Sequence, residues 1–225
     1  MASSVSSSPV TVSCKGVLFD MDGILVSSIG SVERSWTRWA TMRGVDPAHA
    51  IRVIHGRRAI DSLRAIRPDL DAEKELAILE QFEVEDTEGI RVLPGVCALL
   101  QTLPHDRWTV VTSATERLAR VRLQAAKVPV PDEFVHGETV VEGKPHPAPF
   151  LAGAALLGFA PEECVVFEDS ASGVAAGKAA GCTVIATLFT HEAEGLEGAD
   201  YIVPDLTGVR VVPAANRLEI TFQQS

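Results

Sequence analysis

The stretch KGVLFDMDGIL at 15–25 decides the reading of this chain. It opens as a short apolar run, KGVLFD at 15–20, and breaks abruptly into acidic residues and glycine. That is the pattern of a strand buried on both faces of a parallel sheet and ending in a polar turn. Comparable runs recur as WTVVTS (108–113), CVVFED (164–169) and CTVIAT (182–187), with YIVP (201–204) as a fifth candidate. Ala- and Leu-rich stretches of helical period separate them. Strands alternating with helices predict an α/β fold, a Rossmann-like doubly wound parallel sheet with right-handed crossovers. Polar residues gather at the carboxyl ends of these strands, where open α/β sheets bind their ligands.

Working outward, the interval 30–91 breaks the rhythm: it carries helical patterns without a convincing strand and is too long for one crossover helix. VERSWTRWATMRG (32–44) sets Trp36 and Trp39 on one helical face and stops at Gly44, and further helices are expected at 59–66 and 72–85. The expected organisation is a flexible Ser-rich tail over 1–14, an α/β core at 15–29 and 92–225, and a helical cap at 30–91 inserted after the first strand. VRVVP (209–213) and RLEITF (217–222) suggest a hairpin, although AAN is a weak turn signal.

Composition narrows the function classes. The 225 residues, 46% hydrophobic and 22% charged, suffice for one sizeable core and exclude a disordered or fibrous chain. A net charge of -10 with a pI of 5.1 repels phosphate backbones, so no nucleic-acid partner is expected. No run approaches the length of a membrane span, and no membrane partner is expected. Cys14, Cys97, Cys164 and Cys182 form no CxxC pair and sit among apolar residues, as buried free thiols do. Together with a start that lacks the features of a secretory signal, this points to the cytoplasm. A monomer or small homo-oligomer is expected, without a sequence feature that selects between them.

Four strand ends carry the chemistry. DMDG (20–23) sets Asp20 and Asp22 two residues apart on one turn, where like charges need a cation, a shared proton or opposite jobs. One arrangement makes Asp20 a metal ligand and nucleophile, Asp22 a general acid and base, and Gly23 the source of backbone freedom. Alone, the same letters also describe an ordinary strand-end turn. TSAT (112–115) offers a hydroxyl and backbone N–H groups for phosphate, or a plain helix cap. Lys144 stands before a Pro-rich helix start that can hold it at a defined point, although an isolated Lys is usually surface charge. Glu168 and Asp169 end the strand CVVFED with hard oxygen ligands suited to Mg²⁺.

The order DMDG, TS, GKP, ED resembles the haloacid dehalogenase superfamily of phosphohydrolases, over roughly 15–201, including the position of the small helical cap. HGRRAIDSLR (55–64), EDTEGIRVLPG (85–95) and VERSWTRW (32–39) look like the matching stretches of bacterial broad-specificity sugar phosphatases, of the hexose-phosphate and 2-deoxyglucose-6-phosphate type. The resemblance implies Mg²⁺-dependent hydrolysis of small sugar phosphates through an aspartyl-phosphate. It makes Asp20 the nucleophile and Asp22 the acid and base, with Ser113, Ala114 and Lys144 around the phosphate. It assigns Mg²⁺ to Asp20, the backbone carbonyl of Asp22 and Asp169, with Glu168 a direct or more distant ligand. It sets His55, Gly56, Arg57 and Arg58 on the cap loop facing the site, where at least one Arg is expected to be merely solvated or ion-paired. Ser27 stands where many relatives carry an acid. Trp36 and Trp39 fit cap packing, Asp61 a cap or salt bridge, and Glu85, Asp86 and Glu88 a solvated acidic segment.

Related chemistries remain as alternatives. A β-phosphoglucomutase-type sugar-phosphate mutase shares core and cap, but the relevant mutases carry a cap-helix His that GSVERSW (30–36) lacks. Glycerol-phosphate and phosphoglycolate phosphatases share the motifs. A dehalogenase has no need of Asp22 or Asp169, and a phosphonatase needs a cap Lys, for which Lys74 in an acidic helix is a poor candidate. A non-catalytic sugar-phosphate binding protein would not need to keep all three carboxylates.

Overall fold

A computed structural model describes residues 9–54, 57–189 and 195–224. In chain order its elements are β1 (Val10–Cys14), β2 (Gly16–Phe19), β3 (Val26–Ser27), α1 (Ile29–Met42), α2 (Pro47–Val53), α3 (Ala59–Ile66) and α4 (Ala72–Glu85). There follow β4 (Arg91–Val92), α5 (Val96–Thr102), β5 (Trp108–Val110), α6 (Glu116–Ala125), α7 (Ala148–Leu157), β6 (Cys164–Glu168) and α8 (Ala171–Ala180). β7 (Thr183–Thr187), β8 (Tyr201–Val203), β9 (Arg210–Ala214) and β10 (Arg217–Phe222) complete the chain.

The central sheet is parallel, in the order β5-β2-β6-β7-β8. The two-residue period of a strand explains why its segments read as continuous apolar runs. In β2, Val17 and Phe19 enter one buried cluster and Leu18 enters another across the sheet, while Val165 and Phe167 of β6 repeat the first choice and Val166 the second. Phe19 stacks on Phe167 at 5.2 Å and meets Trp108 edge-on at 6.0 Å. The central strands β2 and β6 are thus dry on both faces, while the edge strand β8 is half-buried at Tyr201 and Ile202.

Around this core the chain departs from expectation at three points. Val10–Cys14 is a strand rather than part of a flexible tail: it pairs antiparallel with β10 in a second sheet ordered β1-β10-β9. Its alternation is the cause, since Val10, Val12 and Cys14 pack on the core while Thr11 and Ser13 face outward. Residues 1–8 lie outside the described residues. Asp46 caps an unforeseen α2 by accepting from the Ala48 N–H, with Pro47 at the first helical position. Cys97 is exposed, whereas Cys14, Cys164 and Cys182 are buried thiols as expected. The 209–222 segment does form a hairpin, closed by Ala215 and Asn216.

Helices α1 to α4 lie between β3 and β4, which pair antiparallel as a two-rung ribbon, Val26 opposite Val92 and Ser27 opposite Arg91. These helices carry a cluster of their own around Trp36, Trp39, Leu63 and Leu79, as the Trp spacing implied. The Trp39 indole donates to Glu75, which also takes a bidentate contact from Arg43. Among the described residues no helix is long and apolar enough to cross a membrane.

Candidate active site

The sheet order places the site. β2 is flanked by β5 and β6 with Phe19 in register with Val110 and Phe167, so the turns after all three strands open side by side. Asp20, Asp22, Thr112, Ser113, Ala114, Lys144, Glu168, Asp169 and Ser170 line one cavity there, roofed by Arg57, Trp36 and Glu83 of the inserted helices. Sequence positions more than 140 residues apart meet because parallel strands all point their carboxyl ends the same way.

The backbone geometry of the first turn follows from its glycine. Gly23 adopts φ +88 and donates its N–H to the Val26 carbonyl at 2.8 Å, a conformation that a Cβ would strain. It lets Asp20 and Asp22 leave in different directions. Asp20 turns into the cluster, where its Oδ1 accepts from Lys144 Nζ at 2.6 Å. Asp22 turns toward α6: Ser28 Oγ donates to its Oδ1 at 2.5 Å and Arg122 Nη1 to its Oδ2 at 2.7 Å.

Lys144 is the central cation, 5% exposed, and donates also to Glu168 Oε1 at 2.5 Å. Burial alone would lower its pKa, but the Asp20 and Glu168 carboxylates outweigh that and hold the ammonium above its ordinary range. Asp20 shows the opposite balance. Burial pushes its carboxyl up to about 7, Lys144 opposing and Glu168 and Asp22 adding to the rise. Carboxylate oxygens of Asp20, Glu168 and Asp169 lie within 4.8 Å of one another, all three residues buried. An all-oxygen donor set of this kind suits a hard divalent cation.

Glu168 serves as an organiser. Its Oε2 accepts from the N–H groups of Asp169 and Ser170 at 2.8 and 2.9 Å and from Ser170 Oγ at 3.0 Å, at the start of α8. The carboxylate presses against Gly173, where a Cβ would fall inside it. Gly173→Ala is therefore expected to displace Glu168 and with it Lys144. The variant should lose about 1–3 kcal/mol of stability in urea unfolding and about tenfold or more in turnover. An unaltered melt and rate would contradict this packing role.

Of the residues expected at the site, Asp20, Asp22, Ser113, Ala114, Lys144, Glu168 and Asp169 come together, and Arg57 joins them from the inserted helices. Arg58 does not face that cavity. Its guanidinium forms a bidentate pair with Asp61 and donates to the Gly137 and Val140 carbonyls, tying α3 to the loop before Lys144. His55 and Gly56 lie outside the described residues. Lys74 is 79% exposed and pairs with Asp71. Asp86, expected in a solvated segment, instead takes a bidentate contact from Arg34 and accepts from Ser31 Oγ through its carbonyl. That pairing holds its carboxyl below the usual range. Sequence reasoning missed Arg122, Glu83 and Ser28. The first two carried a signal: each is a charge on the buried face of an amphipathic helix, four residues after Leu118 and Leu79 respectively.

Comparison with known proteins agrees with this geometry. The haloacid dehalogenase-like hydrolase family matches residues 14–181. Hexitol phosphatase A of Escherichia coli K12 is 44% identical over 208 residues, covering 90% of this chain and 96% of its own. Glycerol-1-phosphate phosphohydrolase 1 of Saccharomyces cerevisiae is 32% identical, with 92% of this chain and 88% of its own covered. The yeast 2-deoxyglucose-6-phosphate phosphatase 1 is also 32% identical, covering 87% and 89%. A shared motif order, sheet-end geometry and full-length similarity lead to one conclusion: the chain belongs to the haloacid dehalogenase-like hydrolases and is a phosphoric monoester hydrolase.

Proposed function

We propose that this protein hydrolyses small sugar and polyol monophosphates through an aspartyl-phosphate formed on Asp20. The observation that carries the reading is the convergence of Asp20, Asp22, Ser113, Lys144 and Asp169 on one cavity. The relatives named for hexitol, glycerol and deoxyglucose phosphates support a small, hydroxyl-rich leaving group. A cavity lined by Glu33 and Arg57 beside Trp36 and Ile54 supports it too, because hydroxyls need polar partners and a carbon face needs apolar wall. Free buried thiols suit a reducing cytoplasm.

In this reading Mg²⁺ is held by Asp20, Asp169 and the Asp22 carbonyl, and when bound it supplies the positive charge that lets a phosphate dianion approach a carboxylate. Glu168, whose Oε2 already accepts three hydrogen bonds, acts one layer further out, orienting Lys144 and the loop. Asp20 attacks phosphorus through a carboxylate oxygen as the bond to the leaving oxygen breaks. Asp22 gives that oxygen its proton and then takes one from the water that cleaves the acyl phosphate, restoring Asp20. Lys144, with three N–H donors and two engaged by Asp20 and Glu168, keeps one for a phosphate oxygen, and Ser113 contributes a second contact. Hydrolysis is favoured over transfer between sugar positions because Val32 and Glu33, not His, face the cavity from α1.

The test is phosphate release from a panel of sugar, polyol and short-acid phosphates, with Mg²⁺ and with chelator. Chelator-sensitive release greatest on hexose, hexitol or glycerol phosphates is the expected result, and release confined to phosphoglycolate would discard the substrate class. Arg57 is expected to act on the leaving group. Arg57→Ala should lower kcat/KM for sugar phosphates by about tenfold or more, as for a lost charge-assisted hydrogen bond, while p-nitrophenyl phosphate loses much less. Equal losses on both would remove Arg57 from substrate selection.

A further inference from the structure

Asp22 has both carboxylate oxygens engaged, and its two partners differ in kind. Ser28 is a neutral hydroxyl that rotates, so a substrate oxygen or a water can take its place on Oδ1 at little cost. Arg122 is a guanidinium with a side chain 5% exposed, and giving up a buried charged partner is far more costly. Oδ2 is thus an anchor and Oδ1 the working oxygen. Arg122 is fixed in turn from its far side: its Nη2 donates at 2.9 Å to Oε1 of Glu83, whose side chain is equally buried. Glu83 belongs to α4 of the inserted helices, Arg122 to α6 of the core.

The same two helices are stitched nearby. Glu80 of α4 accepts from Thr115 Oγ1, the cap of α6, and from Arg117 Nη1 at 3.2 Å. Gln81 accepts from Arg117 Nη2 at 3.0 Å. Seating α4 on α6 therefore brings Glu83 to Arg122, and Arg122 orients Asp22. We infer that Arg122, clamped by Glu83, is a positioning residue that anchors Asp22 through Oδ2, so that the acid–base group is correctly aimed only while the inserted helices are seated on the core. This rests on the proposed role of Asp22 and adds the device that aims it.

The consequence is selective by leaving group. An alkyl phosphate needs the proton from Asp22 on its departing oxygen as the electrons of the P–O bond move onto that oxygen. A p-nitrophenolate leaves without it, so the first phosphoryl transfer from p-nitrophenyl phosphate does not depend on aim. Whole protein with Mg²⁺ is compared as wild type, Arg122→Lys, Arg122→Ala and Glu83→Gln. For the best alkyl phosphate of the panel, kcat should fall by about tenfold to a hundredfold in Glu83→Gln and Arg122→Ala, within the range of acid–base contributions. KM should stay within about threefold and Arg122→Lys should recover part of the loss. The pre-steady-state burst of nitrophenol should keep its rate within about threefold. Ser28→Ala should lose less than either.

A burst slowed as much as alkyl phosphate turnover would overturn the inference, since it would show a general structural role. So would folded Glu83→Gln and Arg122→Lys proteins with wild-type kcat. If Arg122→Ala does not fold, the near-isosteric Glu83→Gln decides the matter by the same two readouts. Wild-type protein without phosphate release from any probe would sink the functional reading instead, which separates the two failures.

Discussion

Asp20→Asn is expected to abolish phosphate release, by about 10³-fold or more, in a protein that still folds. An amide oxygen is too poor a nucleophile to take a phosphoryl group, and no other carboxylate among those lining the cavity stands where Asp20 does. The fold should survive because the substitution keeps shape and because Asp20 is held by its backbone as well: its N–H donates to the Phe167 carbonyl at 3.0 Å, just past the end of the β2–β6 pairing. Lys144 also keeps its contact with Glu168. Removing a carboxyl that burial pushes up to about 7 relieves part of the electrostatic cost of the cluster, so the melting temperature should fall little. Phosphate release and a thermal melt on the same sample check both halves. Turnover above a few per cent of wild type would remove Asp20 from the nucleophilic role.

Lys144→Ala is expected to damage stability and activity together. It leaves the Asp20 and Glu168 carboxylates facing each other, 7% and 0% exposed, with their shared ammonium gone. Breaking a buried pair by removing one partner typically costs about 3–5 kcal/mol. Loss of the phosphate contact on top of this should bring turnover down by about 10²-fold or more. Urea unfolding of Lys144→Ala beside Lys144→Ala/Glu168→Gln separates the two effects. The double variant, with one buried charge fewer, should recover stability while remaining inactive. If the single variant is as stable as wild type, the ammonium is not the counter-charge that the geometry indicates.

Much of this architecture is legible in the sequence. The strands at 15–20, 164–169 and 182–187 announce themselves because a sheet covered on both faces needs unbroken apolar runs, and the first two end in residues that line the cavity. Helices α3 and α4 begin and end where the sequence pattern places them. The losses have physical causes. The alternation VTVSC is hidden by the Ser-rich run before it. β3 and β4 are two residues long, too short to show any period. The side chains around Asp22 are harder still, since Arg122 follows it by 100 residues and Glu83 precedes Arg122 by 39. No local pattern names such a pair, although a charge on the core face of a helix asks for a partner. Arg58 beside Arg57 illustrates the converse: neighbouring letters in a basic cluster point to different neighbours once φ and ψ are set.

The ribbon of Val26–Ser27 with Arg91–Val92 also bears on how such a protein can diversify. Its two strands lie side by side at the usual interstrand spacing of about 4.8 Å, so the chain departs from the catalytic layer and comes back at almost one point. Whatever is strung between those two rungs leaves the register of the parallel sheet untouched, and the helices strung there bring a hydrophobic nucleus of their own. The inserted helices can therefore vary in length as well as in sequence without disturbing the sheet beneath them, provided that the α4 face that carries Glu83 to Arg122 is kept.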